Sequence, residues 1–314
     1  MGLINFNKYL KCEFLIKDFI LRTQLLNLFS LVLFVIILTA CSSTRILYTF
    51  VDSFIEDEIN YFLDLDKEEM VELSQQVSEM VIWHKKFMLP KYSSYMTNAA
   101  NMLEMEQYRS SDILKVLTNG RSLIEETVTG LTPYASKFLI KYNKVEDINF
   151  MEKRMLTRRQ KRINELSKSE DILYKERLQR LTSNFNRFLG DLNDEQIILL
   201  ELHARATLKE PRIRLHNRTL RQKVFIRFLR TKPKETELTS YLNKLLLRGY
   251  LITNPNYFTF SENSLNRFGS LLTNILAISS KKQKETTIRK LREYANDFKT
   301  VSLRGNVGEA ELQN

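Results

Sequence analysis

An all-α body of long helices is the fold class this sequence predicts, and three observations predict it. The 314 residues include only 8 glycines and 5 prolines, so chain breakers are scarce and elements should run long. Leu, Lys, Glu, Arg and Met, all strong helix formers, are plentiful. Apolar residues recur at intervals of three and four, and no alternating run of β-branched and polar residues is bounded by turn signals. A multi-helix, bundle-like body is expected over residues 41–303, behind a leader of 40 residues and ahead of a disordered tail at 304–314.

The leader reads differently from the body. Leu25 to Ala40 is apolar apart from Asn27, Ser30 and Thr39, and Lys8, Lys11, Lys17 and Arg22 precede it against Glu13 and Asp18. A positive flank, an apolar run and small residues at its end make a secretory signal, here longer than the usual ~15–30 residues. The run also approaches the lower length limit of a membrane-spanning helix, so an uncleaved anchor in the inner membrane is the alternative. Leu38-Thr39-Ala40-Cys41 has the form of a bacterial lipobox. A thiolate is the nucleophile that takes a diacylglyceryl group as a thioether. The small residues before it admit a peptidase that cuts between Ala40 and Cys41. A fatty acid on the new amino terminus, palmitate in kind, completes the anchor. Each buried methylene contributes about 0.8 kcal/mol, and two or more chains hold firmly. Ser42 and Ser43 follow in place of the aspartate that retains such proteins in the inner membrane. The expected location is therefore the periplasmic face of the outer membrane, and the covalent lipid on Cys41 is the only non-protein group expected.

In the body, Leu47, Phe50, Phe54, Ile55 and Phe62 form a helical stripe from Arg45 to Leu63. Asp64-Leu65-Asp66 breaks it, and Asp66 with Glu69 has the spacing of a capping box that starts a new helix. Met70, Leu73, Val77, Met80, Val81, His84, Phe87 and Met88 continue that helix until Pro90 interrupts or kinks it. Ser110 or Ser111 opens the next helix and Gly130 closes it, with Thr132-Pro133 starting another. Residues 145–189 read as one or two long charged helices ended by Gly190-Asp191-Leu192, and Asn193 with Gln196 starts the next. Helices are expected at 236–248 and 262–300, with a break near Ser279-Ser280.

Several functions are excluded. Cys12 and Cys41 are the only cysteines, and His84, His203 and His216 show no ligand spacing, so no metal site is expected. There is no glycine-flanked serine elbow, and Cys41 is not free once acylated. Adjacent glutamates such as Glu125-Glu126 lie on neighbouring helical faces, and no Glu-Ser pair of the lytic transglycosylase type occurs. No enzyme is expected.

Charge is more informative. Residues 205–234 hold eleven Lys and Arg against Glu210 alone, a net of +10, and the whole chain carries +11. The positive excess is therefore one segment, and local positive charge means an anionic partner. Nucleic acid is not met in the periplasm, which leaves anionic phospholipid, peptidoglycan or envelope proteins. Arg214, Arg218, Arg221, Lys223 and Arg227 are the candidate binding surface. The alternative is internal pairing with the acidic helices at 145–176. A second basic stretch from Lys153 is interleaved with acids and reads as a solvated face.

Trp83-His84 is the remaining suspect. His84 shares a stripe with Val77, Met80 and Val81, so it reads as a neutral interior residue that could satisfy a carbonyl freed by Pro90, with a binding or proton-transfer role the alternative. With Cys41-Ser42, Arg45, Tyr48, Trp83-His84, Leu89-Pro90 and Tyr92 placed, the chain resembles a family of bacterial lipoproteins, domain of unknown function 6279. The resemblance implies envelope localisation, an all-helical fold and a structural role for Arg45, Tyr48, Trp83, His84, Pro90 and Tyr92, and it implies no known reaction. Where such proteins carry tryptophans in the first helix, this sequence has Ile59, Asn60 and Tyr61. Three functional readings follow: a scaffold, tether or accessory binding protein first, a periplasmic lipid or small-ligand carrier second, a glycan-cleaving enzyme third.

Overall fold

The computed structural model describes residues 43–106 and 108–311. The leader, the Ala40–Cys41 junction and Ser42 lie outside the described residues. Among those described there are helices and turns and no strand. In chain order the helices are α1 (Ser43–Leu63), α2 (Lys67–Phe87), α3 (Leu89–Glu104), α4 (Ser110–Leu139), α5 (Val145–Leu166), α6 (Glu170–Leu189), α7 (Asp194–Ala206), α8 (Glu210–Leu229), α9 (Glu235–Arg248), α10 (Asn256–Ala277) and α11 (Lys281–Glu311). A single 3-10 turn, Gly249–Leu251, follows α9.

Local chemistry accounts for most boundaries. The Asp66 side chain accepts from the backbone of Glu68 and Glu69, both at 2.9 Å, while Glu69 reaches back to the Asp66 N–H. Met88 separates α2 from α3, where Pro90 supplies no N–H to continue the ladder. Ser169 caps α6, and Gly190 ends it with φ of 77°, a left-handed backbone open to glycine. Asn193 and Gln196 form the second capping box.

The long helix α4 departs from the sequence expectation. Gly130 and Thr132-Pro133 do not end one helix and begin another, because Ser110–Leu139 runs through them unbroken. The reason lies outside α4. A Cβ on Gly130 would sit 1.9 Å from the Trp83 ring, so this glycine makes room for an indole rather than a turn. Thr132 and Ser136 are buried, and each hydroxyl donates to the carbonyl four residues back. These bonds hold the helix around Pro133, and Thr132 also meets Asn243 of α9 at 3.0 Å. At the other end of the chain, α11 passes Arg304, where the sequence reading places the start of a tail, and continues to Glu311.

Helix α4 forms the spine, touching α2, α3, α9 and α10, and α11 lies along α3 in the most extensive pairing. The largest apolar core joins α1, α2, α4, α5, α8 and α9 through Leu73, Val77, Phe138, Ile148, Leu229 and Leu238. A second core joins α6, α7 and α10, and a third lies where α3, α4, α10 and α11 meet. A buried amide pair ties the α6–α7 corner to α11. Gln196, fully buried, donates to Ser279 and Gln283, and Gln283 donates to the Asp191 carbonyl at 2.7 Å. The stretch from Lys153 is not simply solvated: the Arg154 and Arg158 guanidiniums stack on Tyr61 of α1 at 3.9 and 4.2 Å.

Candidate anion-binding site

Helix α8 begins with Glu210-Pro211, and proline in the first turn costs no hydrogen bond. Arg214, Arg218 and Arg221 then recur at four and three, which places them on one face. Lys223 and Arg227 fall about half a turn round the helix. The structure divides the five candidate residues accordingly: the first three line a cleft, and Lys223 and Arg227 do not.

Two clefts share Arg214 and Arg218. The first, of about 480 Å³, opens between α8, α9 and α10, lined by Arg214, Arg218, Arg221 and Phe225 of α8 and by Leu242, Leu246 and Tyr257 of the other two. The second, of about 370 Å³, lies between α8 and the helices α5 and α6, which contribute Arg162, Arg177 and Arg180. Five guanidiniums therefore converge around a single carboxylate, Glu210. That carboxylate is 7% exposed and already engaged: Arg214 at 2.9 Å, Arg267 at 2.8 Å and the Ser264 hydroxyl at 3.0 Å. Arg162 pairs with Glu165 at 2.6 Å, and Arg177 donates to Thr207. Arg180 and Arg218 are exposed and have neither hydrogen bond nor ion pair among the described residues.

The electrostatics follow from this crowding. Burial lowers the Arg177 pKa most, Glu210 opposes it, and the neighbouring Arg180 and Arg214 charges lower it further. Burial likewise lowers Arg221, which lies against Gly249 and donates to the Leu246 carbonyl. Like charges held together raise the free energy of the folded state, and a bound anion would relieve it. Internal pairing with the acidic helices is slight. Among the basic segment's side chains only Arg230 finds a carboxylate there, Glu152 at 2.7 Å. Glu165 and Glu176 engage Arg162 and Lys168 instead.

The residues singled out with Trp83 form a separate cluster. Tyr48 stacks on His84 with ring centres 6.1 Å apart, and its hydroxyl lies 3.3 Å from Nδ1. Tyr92 also approaches His84, at 5.6 Å, contacts Phe298 of α11 and hydrogen-bonds Thr127 of α4. The histidine's partner is thus a phenol rather than a carbonyl freed by Pro90. Burial lowers the His84 pKa and raises that of Tyr48, with Tyr92 adding to it, so burial favours the neutral form of both partners of this hydrogen bond. Trp83 packs over Gly130 and, at 6.0 Å, against Phe87.

Sequence reasoning found the α8 arginines but not Arg162, Arg177 and Arg180, which reach the site only through tertiary folding. The four-and-three spacing could have separated Arg214, Arg218 and Arg221 from Lys223 and Arg227. Among the described residues no cluster of His, Cys, Asp and Glu has the makings of a metal site, and no helix is long and apolar enough to cross a membrane. A family model described as a family of unknown function (DUF6279) matches residues 61–257, a span that holds Trp83, His84, Pro90, Tyr92 and both clefts' α8 arginines. No curated protein and no solved structure matches the chain.

Proposed function

The chain belongs to the DUF6279 family of unknown function, and from that premise we propose that it is a lipid-anchored envelope protein which binds an anionic partner through the arginine face of α8. It works by binding and not by catalysis, as a tether, scaffold or accessory subunit on the periplasmic face of the outer membrane. The convergence of Arg162, Arg177, Arg180, Arg214 and Arg218 on one occupied carboxylate carries this reading. Local conflicts of this kind are expected at functional sites, and a bound anion would offset the repulsion. Anionic phospholipid headgroups and peptidoglycan supply anions in the envelope, and each basic residue near an anionic surface contributes about 1 kcal/mol. The anchor is supported by Leu38-Thr39-Ala40-Cys41, and by the exposure of Phe50 and Phe54 on α1, the first helix after Cys41.

Two measurements test the two halves. Mass spectrometry of the chain from a membrane fraction should find diacylglycerol and an acyl group on an amino-terminal Cys41; a chain that still carries residues 1–40 refutes lipid anchoring. The full chain in phosphatidylcholine nanodiscs should co-sediment with phosphatidylglycerol vesicles or with peptidoglycan sacculi at low salt, less so at high salt. Replacing Arg214, Arg218, Arg221, Lys223 and Arg227 with glutamine should abolish this. Failure to sediment with either refutes the arginine face as a contact for envelope anions.

The carrier reading has an observation of its own. A groove of about 340 Å³ between α3, α4, α6, α10 and α11 is lined by apolar side chains such as Met96, Val116, Phe188 and Leu291. Lipid retained by the purified chain would favour it.

A further inference from the structure

The 480 Å³ cleft between α8, α9 and α10 has a composition that the arginine convergence alone does not explain. Its size lies within the ~300–1,000 Å³ of small-molecule sites. From α8 it is lined by Arg214, Arg218, Arg221 and Phe225, with no carboxylate; from α9 and α10 it is lined by Leu242, Leu246 and Tyr257. Asn217 also lines it. This side chain is 5% exposed, and its Oδ1 has no hydrogen-bond partner among the described residues. A buried amide oxygen left without a donor costs on the order of 1–3 kcal/mol, so its position beside an open cleft points to a donor brought by a ligand. Of the three cations, Arg214 is neutralised by Glu210, while Arg218 has no partner among the described residues and Arg221 bonds only a carbonyl. A surface meant only to meet a flat polyanion has no use for the apolar wall.

We propose that this cleft binds one amphipathic oxyanion, a phosphate or carboxylate at Arg218 and Arg221, with a short apolar body against Leu242, Leu246 and Tyr257 and a hydroxyl or amide N–H donated to Asn217. The site deepens the proposed function in taking α8 as its binding element, and adds that the ligand enters a cleft instead of lying across a face.

The test is isothermal titration calorimetry of octyl phosphate, inorganic phosphate and octanol into the full chain in phosphatidylcholine nanodiscs, with empty nanodiscs as the blank. Octyl phosphate should saturate one site per chain and bind at least about tenfold tighter than either of the other probes, since only it engages both walls. Arg218→Gln should weaken it about tenfold. Leu246→Glu, at a position 48% exposed and therefore outside the core, should weaken it at least as much. Octanol or phosphate binding as tightly as octyl phosphate overturns the proposal, as does octyl phosphate binding untouched by either substitution. Phosphatidylglycerol vesicles then identify the source: displacement of octyl phosphate assigns the cleft to a lipid headgroup, and its persistence assigns a soluble amphiphile. A chain that sediments with anionic vesicles but ignores octyl phosphate keeps its proposed function and loses this cleft. A chain that binds octyl phosphate but sediments with neither vesicles nor sacculi keeps the cleft and loses the surface contact.

Discussion

The cluster around Trp83 and the cleft beside Arg218 both consist of residues prominent in the sequence, and they differ in how their polar atoms are satisfied. At the first, Tyr48 meets His84, Tyr92 meets Thr127, and Trp83 fills the space above Gly130. These contacts are made within the protein. At the second, Arg180 and Arg218 have no partner among the described residues and the Asn217 Oδ1 is buried without one. The difference teaches which kind of prominence means what. A tryptophan-histidine pair attracts attention as chemistry and serves packing, whereas a run of arginines that resembles a solvated helix holds the groups left over.

Substitutions can break this contrast. Trp83→Ala should cost about 3–5 kcal/mol in urea denaturation followed by circular dichroism, the range for deleting a large packed aromatic. A cost below about 1 kcal/mol would make the indole a surface group and the contrast false. Gly130→Ala should cost about 1–3 kcal/mol through overpacking, because its methyl group enters the indole's space. The fluorescence of the single tryptophan should shift in that variant. Trp83→Leu should rescue Gly130→Ala in part, and additivity of the two changes would show that they do not touch.

Acid should act on the packed side more gently. Burial holds the folded pKa of His84 below the ordinary 6.5, and burial with the Arg177 and Arg267 charges does the same for His203 beside the arginine cluster, so the unfolded chain takes up protons first as pH falls. Stability from these groups is then fully present above about pH 6.5 and declines below it, by at most about 1.4 kcal/mol per pH unit per proton. Denaturation midpoints measured from pH 8 to pH 5 should fall across that window, and His84→Gln should flatten the fall. Smallest of all is the expected stability effect of Arg218→Gln, within about 0.5 kcal/mol. That silence, beside the lost octyl phosphate binding, is what separates a group kept for a ligand from one kept for the fold. A large destabilisation by Arg218→Gln would place it with Trp83.

Most helix boundaries were legible because their causes are local. Asp66 with Glu69, Pro90 and Asn193 with Gln196 act within three or four residues, and each does in the structure what its spacing implies. Gly130 and Thr132-Pro133 misled because the same residue types that stop helices also let them approach closely. Only the Trp83 ring, 47 positions away in sequence, tells the two uses apart. The site was half legible for the same reason. Arg214, Arg218 and Arg221 stand out on one helix, but Arg162, Arg177 and Arg180 belong to two others. The significance of Asn217 depends on a burial that no local pattern encodes.

The pairing of α11 with α3 has a consequence in time. The Ser93 hydroxyl donates to the Ala295 carbonyl across 202 residues, and Tyr92 rests on Phe298. Helix α3 therefore leaves the ribosome long before the segment that covers it. At roughly 5–20 residues per second, its apolar side waits on the order of ten to forty seconds for its cover. A body that closes with α11 stays open, and threadable, until that helix has been made.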